Sequence, residues 1–181
     1  VKRYALVAAI AALAGCGAAQ DNTTTATTTT TAANAASSIN GESIIRGDAS
    51  NWLSNGRTYD EQRHSPLDQI NLDNVDDLSL AWYWNTGTKR GLEATPIVVD
   101  GIMFTSGAWS MVWAHDAKTG ELLWEFDPQV DRAWARYACC DVVNRGVAAW
   151  KGKIYIGTID GRLIALDAGT GEPVWDINTL L

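Results

Sequence analysis

Histidine, phenylalanine and methionine are scarce in this sequence of 181 residues, with two of each. Four prolines and three cysteines are nearly as few. The longest apolar run, YALVAAIAALAG over residues 4–15, is too short to span a bilayer as a helix. His64 and His115 stand alone, away from metal-ligand spacing. CxxC, HExxH, P-loop and GxGxxG patterns are all missing, which removes the usual motif evidence for zinc, nucleotide phosphate or dinucleotide binding. Cations are outnumbered: 14 Lys and Arg against 21 Asp and Glu, a net charge of −7. An acidic surface repels phosphate backbones and argues against a nucleic-acid partner.

What is present begins with a leader. VKR supplies positive charge ahead of the short apolar run, which ends in LAGC at residues 13–16. This resembles the lipobox of bacterial lipoproteins. It implies a signal peptide over 1–15, cleavage before Cys16 and lipid on the Cys16 sulfur. An ordinary secretory leader with an incidental cysteine is the alternative. Export places Cys139 and Cys140 in an oxidising compartment. Loss of Lys2 and Arg3 with the leader leaves 12 basic against 21 acidic residues, or −9. QDNTTTATTTTTAANAASS, residues 20–38, has no large apolar side chains to offset the entropy of ordering. Residues 16–40 are therefore expected to form a lipidated, flexible tether, with a folded body over 41–181.

The body repeats. AHDAKTGELLW, residues 114–124, and ALDAGTGEPVW, residues 165–175, share seven of eleven positions at a displacement of 51. A weaker echo, LSLAWYW, places Trp82 42 residues before Trp124. Periods of this size in β-rich sequence indicate propeller blades. Hairpin signals fall at Asp100-Gly101, Lys151-Gly152-Lys153 and Asp160-Gly161. Each unit reads as four short antiparallel strands. The blades run from about 94 to 127 and from 147 to 178, with a further outer strand near 80–86. No helical period is evident after residue 15. The expected fold is an all-β propeller of four-stranded antiparallel blades. Trp82, Trp124 and Trp175, among nine tryptophans, are expected to staple blade to blade. Two blades leave edges exposed, so the chain is expected to be the front of a longer protein.

Three stretches together resemble the quinoprotein, PQQ-dependent alcohol dehydrogenases of the methanol and ethanol dehydrogenase type. They are the repeat A-x-D-A-x-T-G-E-x-x-W, similar to the tryptophan docking motif; NWLSNGRTYDEQRHSPLDQIN, residues 51–71; and ACCDVVNRG, residues 138–146. The resemblance covers roughly residues 45–181. His64 stands where that signature usually has an aromatic, and Ser79 where a basic residue or Thr is usual. The resemblance implies an eight-bladed ring, of which about two blades are present.

It also implies site residues. Adjacent α-carbons lie about 3.8 Å apart across a trans peptide, below the usual disulfide span, so two free thiols would be the plainer reading of Cys139 and Cys140. The resemblance implies instead that they form a disulfide lying flat against pyrroloquinoline quinone (PQQ). Arg145 matches a PQQ-contacting arginine, able to offer parallel donors to a carboxylate or quinone oxygen. The alternative is a turn arginine. Glu93, before the first blade strand, matches a cofactor-contacting glutamate; the alternative is a salt bridge at the rim. Asp141 is expected to fix the turn by accepting backbone N–H bonds. Asp116 and Asp167 read as turn caps, and Thr158 matches no family contact.

The implied chemistry is oxidation of a primary alcohol to an aldehyde, with electrons leaving to a cytochrome c on the periplasmic side. The family's Ca²⁺ or lanthanide ligands, its general base and its quinone-stacking Trp cannot be assigned within these residues. Expressed by itself, the 181-residue chain is expected neither to bind PQQ tightly nor to oxidise alcohols. Two alternatives stand beside this reading. One is a non-catalytic propeller lipoprotein scaffold of the outer-membrane assembly type, not expected to carry CCDVVNRG. The other is a glucose-type quinoprotein dehydrogenase, which lacks the cysteine pair.

Overall fold

The computed structural model describes residues 36–180. The leader over 1–15, the lipid attachment at Cys16 and most of the tether lie outside the described residues. Two four-stranded antiparallel sheets follow one another along the chain. The first comprises β1 (Ile97–Val99), β2 (Ile102–Ser106), β3 (Val112–Asp116) and β4 (Leu122–Phe126). The second comprises β5 (Ala148–Trp150), β6 (Lys153–Gly157), β7 (Arg162–Asp167) and β8 (Pro173–Asn178). Each is a meander in sequence order, the topology of a propeller blade.

The 51-residue displacement holds across all four strands. In the first blade one row of partners runs Ile97, Phe104, Ala114, Trp124. In the second it runs Ala148, Tyr155, Ala165, Trp175. The ladder shifts register after Ala114 and again after Ala165. Identical turns enforce this. Asp116 Oδ1 accepts from the N–H groups of Lys118 (3.0 Å) and Thr119 (2.7 Å). Asp167 Oδ1 accepts from Gly169 (2.9 Å) and Thr170 (3.0 Å). Both aspartates are turn caps, and the hydrogen bonds from Thr119 hold the Asp116 carboxyl below its ordinary pKa.

Tryptophans join neighbouring units. Trp124 Nε1 donates to the Ala168 carbonyl at 3.0 Å, and Trp82 Nε1 donates to Ala117 at 3.1 Å. Each indole lies over the glycine of the next turn, Gly171 or Gly120, where a Cβ would stand 2.6 Å from the ring. Trp175 meets Tyr155 of its own blade at 5.7 Å between centroids. Ile97, Phe104 and Val112 of the first blade and Ile154, Ile164 and Leu166 of the second form one core.

Three expectations are corrected. Residues 80–86 form no strand, because no inner strands that could pair with them occur among the described residues; Trp82 docks all the same. A helix, α1 (Gly41–Arg46), does follow the tether. At six residues it is too short to display a period; Asn40 caps it through a reciprocal bond with Ser43, and Gly47 ends it at φ 60°. The ordered body also starts before residue 41. Ala36 and Ile39 are buried against the core, and their carbonyls accept from Gly152 (2.7 Å) and Lys151 (3.2 Å). Among the described residues no helix is long and apolar enough to cross a membrane.

Candidate functional site

Antiparallel order puts three connections at one end of the blades. They are the segment 90–96 entering β1, the β2–β3 link at 107–111 and the long β4–β5 link at 127–147. All four residues expected at a cofactor lie on this rim: Glu93, Cys139, Cys140 and Arg145.

Arg145 and Glu93 form an ion pair, Nη2 to Oε2 at 3.2 Å. The salt bridge weighed for Glu93 thus exists, and its partner is the other candidate. The Arg145 side chain remains 74% exposed, so most of its donors face outward. Cys139 and Cys140 are exposed, and their sulfurs face each other 2.8 Å apart. The Cys139 thiol pushes the Cys140 pKa up; Arg145 opposes this and Glu93 adds to it. The sulfurs, guanidinium and carboxylate therefore share one electrostatic environment.

The loop is tied to both blades. Asp141 takes a left-handed backbone, φ 67°, and its Oδ1 accepts from the Val142 N–H at 2.8 Å, the turn-fixing role expected of it. Asn144 does more. Its Oδ1 accepts from Ser106 Oγ at 2.6 Å and from the Gly146 N–H at 3.1 Å, while its Nδ2 donates to the Gly157 carbonyl at 2.9 Å. The residue before Arg145 is thereby fixed to the end of β2 and the end of β6. The Arg145 carbonyl accepts from the Thr95 N–H at 3.3 Å. Asn144 lay inside the ACCDVVNRG motif, but its partners are 38 and 13 residues away, so no local pattern marked it.

His115 and Thr158 are structural. His115 is 1% exposed, with neither ring nitrogen hydrogen-bonded. It faces a cavity of about 230 Å³ walled by Trp82, Trp84, Trp113 and Met103. Burial pushes its pKa down. Thr158 accepts from the Arg162 N–H at 3.1 Å within the β6–β7 turn.

PQQ is a planar tricarboxylate quinone. It calls for a cationic donor, a hydrogen-bonding carboxylate and a flat unobstructed face. The exposed Arg145 guanidinium, Glu93 and the exposed sulfur pair meet that description. Among the described residues no group of three His, Cys, Asp or Glu side chains could hold a metal ion.

Residues 52–177 match the family model described as PQQ: glucose/ethanol/alcohol dehydrogenase, β-propeller domain. The chain belongs to this family. It is 58% identical over 142 residues to the dehydrogenase subunit of a quinone alcohol dehydrogenase of Komagataeibacter europaeus, covering 77% of this chain and 19% of that protein. It is 57% identical over 139 residues to a quinohemoprotein alcohol dehydrogenase of Comamonas testosteroni, covering 75% and 20%. The crystal structure of quinohemoprotein alcohol dehydrogenase from Comamonas testosteroni superposes with a TM-score of 0.81 at 53% identity, over 84% of this chain and 23% of that one. A europium-containing methanol dehydrogenase superposes at 0.71 with 38% identity, over 77% and 25%. The chain thus spans about a fifth of the length of the curated relatives it matches. Membership of this dehydrogenase propeller family answers the scaffold alternative.

Proposed function

We propose that the protein carrying this chain is a PQQ-dependent alcohol dehydrogenase, and that this chain supplies one wall of its quinone site. The observation that carries the reading is the meeting of Glu93, Arg145 and the Cys139–Cys140 pair on one rim, with Arg145 and Glu93 3.2 Å apart. Bound there, PQQ would supply a two-electron acceptor for alcohol oxidation. Arg145 would hold a carboxylate or quinone oxygen by charge-assisted hydrogen bonds. Glu93 would orient Arg145 and accept from a protonated acid group or a ring N–H of the cofactor. Cys139 and Cys140, joined as a disulfide, would present a rigid polarizable surface to one face and keep water from it.

The substrate is a primary alcohol. Electrons pass on to a cytochrome c, in keeping with a relative from Thauera butanivorans named 1-butanol dehydrogenase (cytochrome c), 50% identical over 130 residues. A Ca²⁺ or lanthanide ion would be held by residues outside those described. The LAGC motif supports a periplasmic protein anchored by lipid on Cys16.

Titration of the native apo-protein with PQQ, followed by alcohol-dependent dye reduction, tests the reading. Saturable PQQ binding that Arg145→Met weakens at least tenfold, about 1.4 kcal/mol, is the expected result. Mass spectrometry of the unreduced protein should find Cys139 and Cys140 two hydrogens lighter than free thiols. Free thiols, with PQQ affinity untouched when each cysteine is replaced by Ser, would overturn the sulfur shelf.

A further inference from the structure

Arg90 and Asp141 stand 51 residues apart in sequence and meet as an ion pair through Arg90 Nη1 and Asp141 Oδ1. Asp141 directly follows Cys140, and its left-handed backbone makes the chain turn sharply just past the sulfurs. Side chains disfavour that conformation, so it persists where surroundings enforce it. Here the support is specific. The Asp141 carboxylate accepts from the Val142 N–H, and the Val142 carbonyl accepts from the Trp109 N–H at 2.9 Å. The Val142 side chain is buried. Arg90 also lies over the Trp109 ring, 5.3 Å from its centroid, and Arg132 approaches the same ring at 4.2 Å. Trp109 and Ser110 themselves hold φ of 64° and 60°.

Arg90 lies three residues before Glu93. A single guanidinium therefore links the segment that carries Glu93 to the turn that carries Cys139 and Cys140. The pair is half exposed, at 43% and 39%. Ion pairs so placed add little to global stability, so the contact acts mainly on local geometry.

We propose that Arg90 is a positioning residue of the quinone wall: through Asp141 and Trp109 it fixes the Cys139–Cys140 turn in register with Glu93. This inference rests on the functional reading above. Arg90 acts through these neighbours and touches no reacting atom.

The test is PQQ titration of the native apo-protein by fluorescence quenching, with the melting temperature of each apo-variant measured in parallel. Arg90→Met and Asp141→Asn should each raise the PQQ Kd about tenfold, as expected for one lost charge-assisted hydrogen bond, with melting temperatures unchanged. Arg90→Lys should restore binding to within about threefold, because a single point contact does not need the guanidinium fork. Arg145→Met serves as the reference. Weakening by Arg145→Met with no change in the Arg90 and Asp141 variants overturns this inference and leaves the functional reading standing. A lowered melting temperature that Arg90→Lys fails to rescue shows a merely structural pair and also overturns it. PQQ binding indifferent to all of them, Arg145→Met included, removes the reading itself.

Discussion

Trp124 lies flat over Gly171, closely enough that a Cβ on the glycine would stand 2.6 Å from the indole. Gly171 also holds φ 75°, a backbone that favours glycine. The Gly171→Ala variant therefore meets two costs at once, left-handed strain and overpacking against a ring that cannot yield. Together these are expected to lower stability by about 2–4 kcal/mol. Gly120→Ala, under Trp82 at φ 76°, should behave alike. Thermal unfolding of the native protein checks both, and melting temperatures equal to wild type would refute the docking account.

The indole has two separable roles. Its Nε1 satisfies the Ala168 carbonyl, and its ring, 8% exposed, fills the seam between blades. Trp124→Phe should lose the hydrogen bond and part of the ring, at a cost of about 1–2 kcal/mol. Trp124→Ala opens a cavity as well and should cost about 3–5 kcal/mol. Chemical denaturation of the two variants distinguishes the roles; equal losses would mean that the hydrogen bond carries the whole effect.

Asn144 connects stability to the site. Asn144→Asp keeps the acceptor for Gly146 but loses the donor to Gly157, placing a carboxylate against that carbonyl oxygen. The expected penalty is about 1–3 kcal/mol. Because Arg145 follows directly, PQQ affinity should fall with it. Unchanged affinity in a destabilised Asn144→Asp variant would show that the Arg145 loop does not depend on this anchor.

The blades were legible because their turns are chemically demanding. Asp at the cap, Thr to share it, Gly for positive φ and Trp on the following strand leave a motif that repeats in sequence. The motif also predicted pairing where the side chains differ, as Phe104 and Tyr155 do in equivalent places. Residues 80–86 misled, because an apolar alternating stretch is a strand only where a neighbouring strand receives its N–H and carbonyl groups. The resemblance named the candidate site residues one by one, and the fold brings them to one rim, but the connections among them were not legible. Glu93 with Arg145, Arg90 with Asp141 and Ser106 with Asn144 are each joined across the rim by tertiary folding. No local spacing announces such pairs.

His115 makes the fold sensitive to pH. Its ring is buried among Trp82, Trp84 and Trp113 in a cavity whose walls carry no charged side chain, and neither nitrogen is hydrogen-bonded. Burial penalises the imidazolium, so the folded-state pKa lies below its value in the unfolded chain, near 6.5. The unfolded state therefore binds more protons between those two values, and stability falls as pH is lowered through that window. The contribution is fully present above about pH 6.5, and its loss stops below the folded-state pKa. One such group changes stability by at most about 1.4 kcal/mol per pH unit. His115→Leu removes the titrating group and two unsatisfied polar atoms, so at pH 7.5 it should be neutral or stabilising. Denaturation midpoints compared at pH 7.5 and 5.5 should show a smaller acid-side loss in His115→Leu than in wild type. Equal losses in the two proteins would mean that the imidazole is already charged, or solvated, in the folded state.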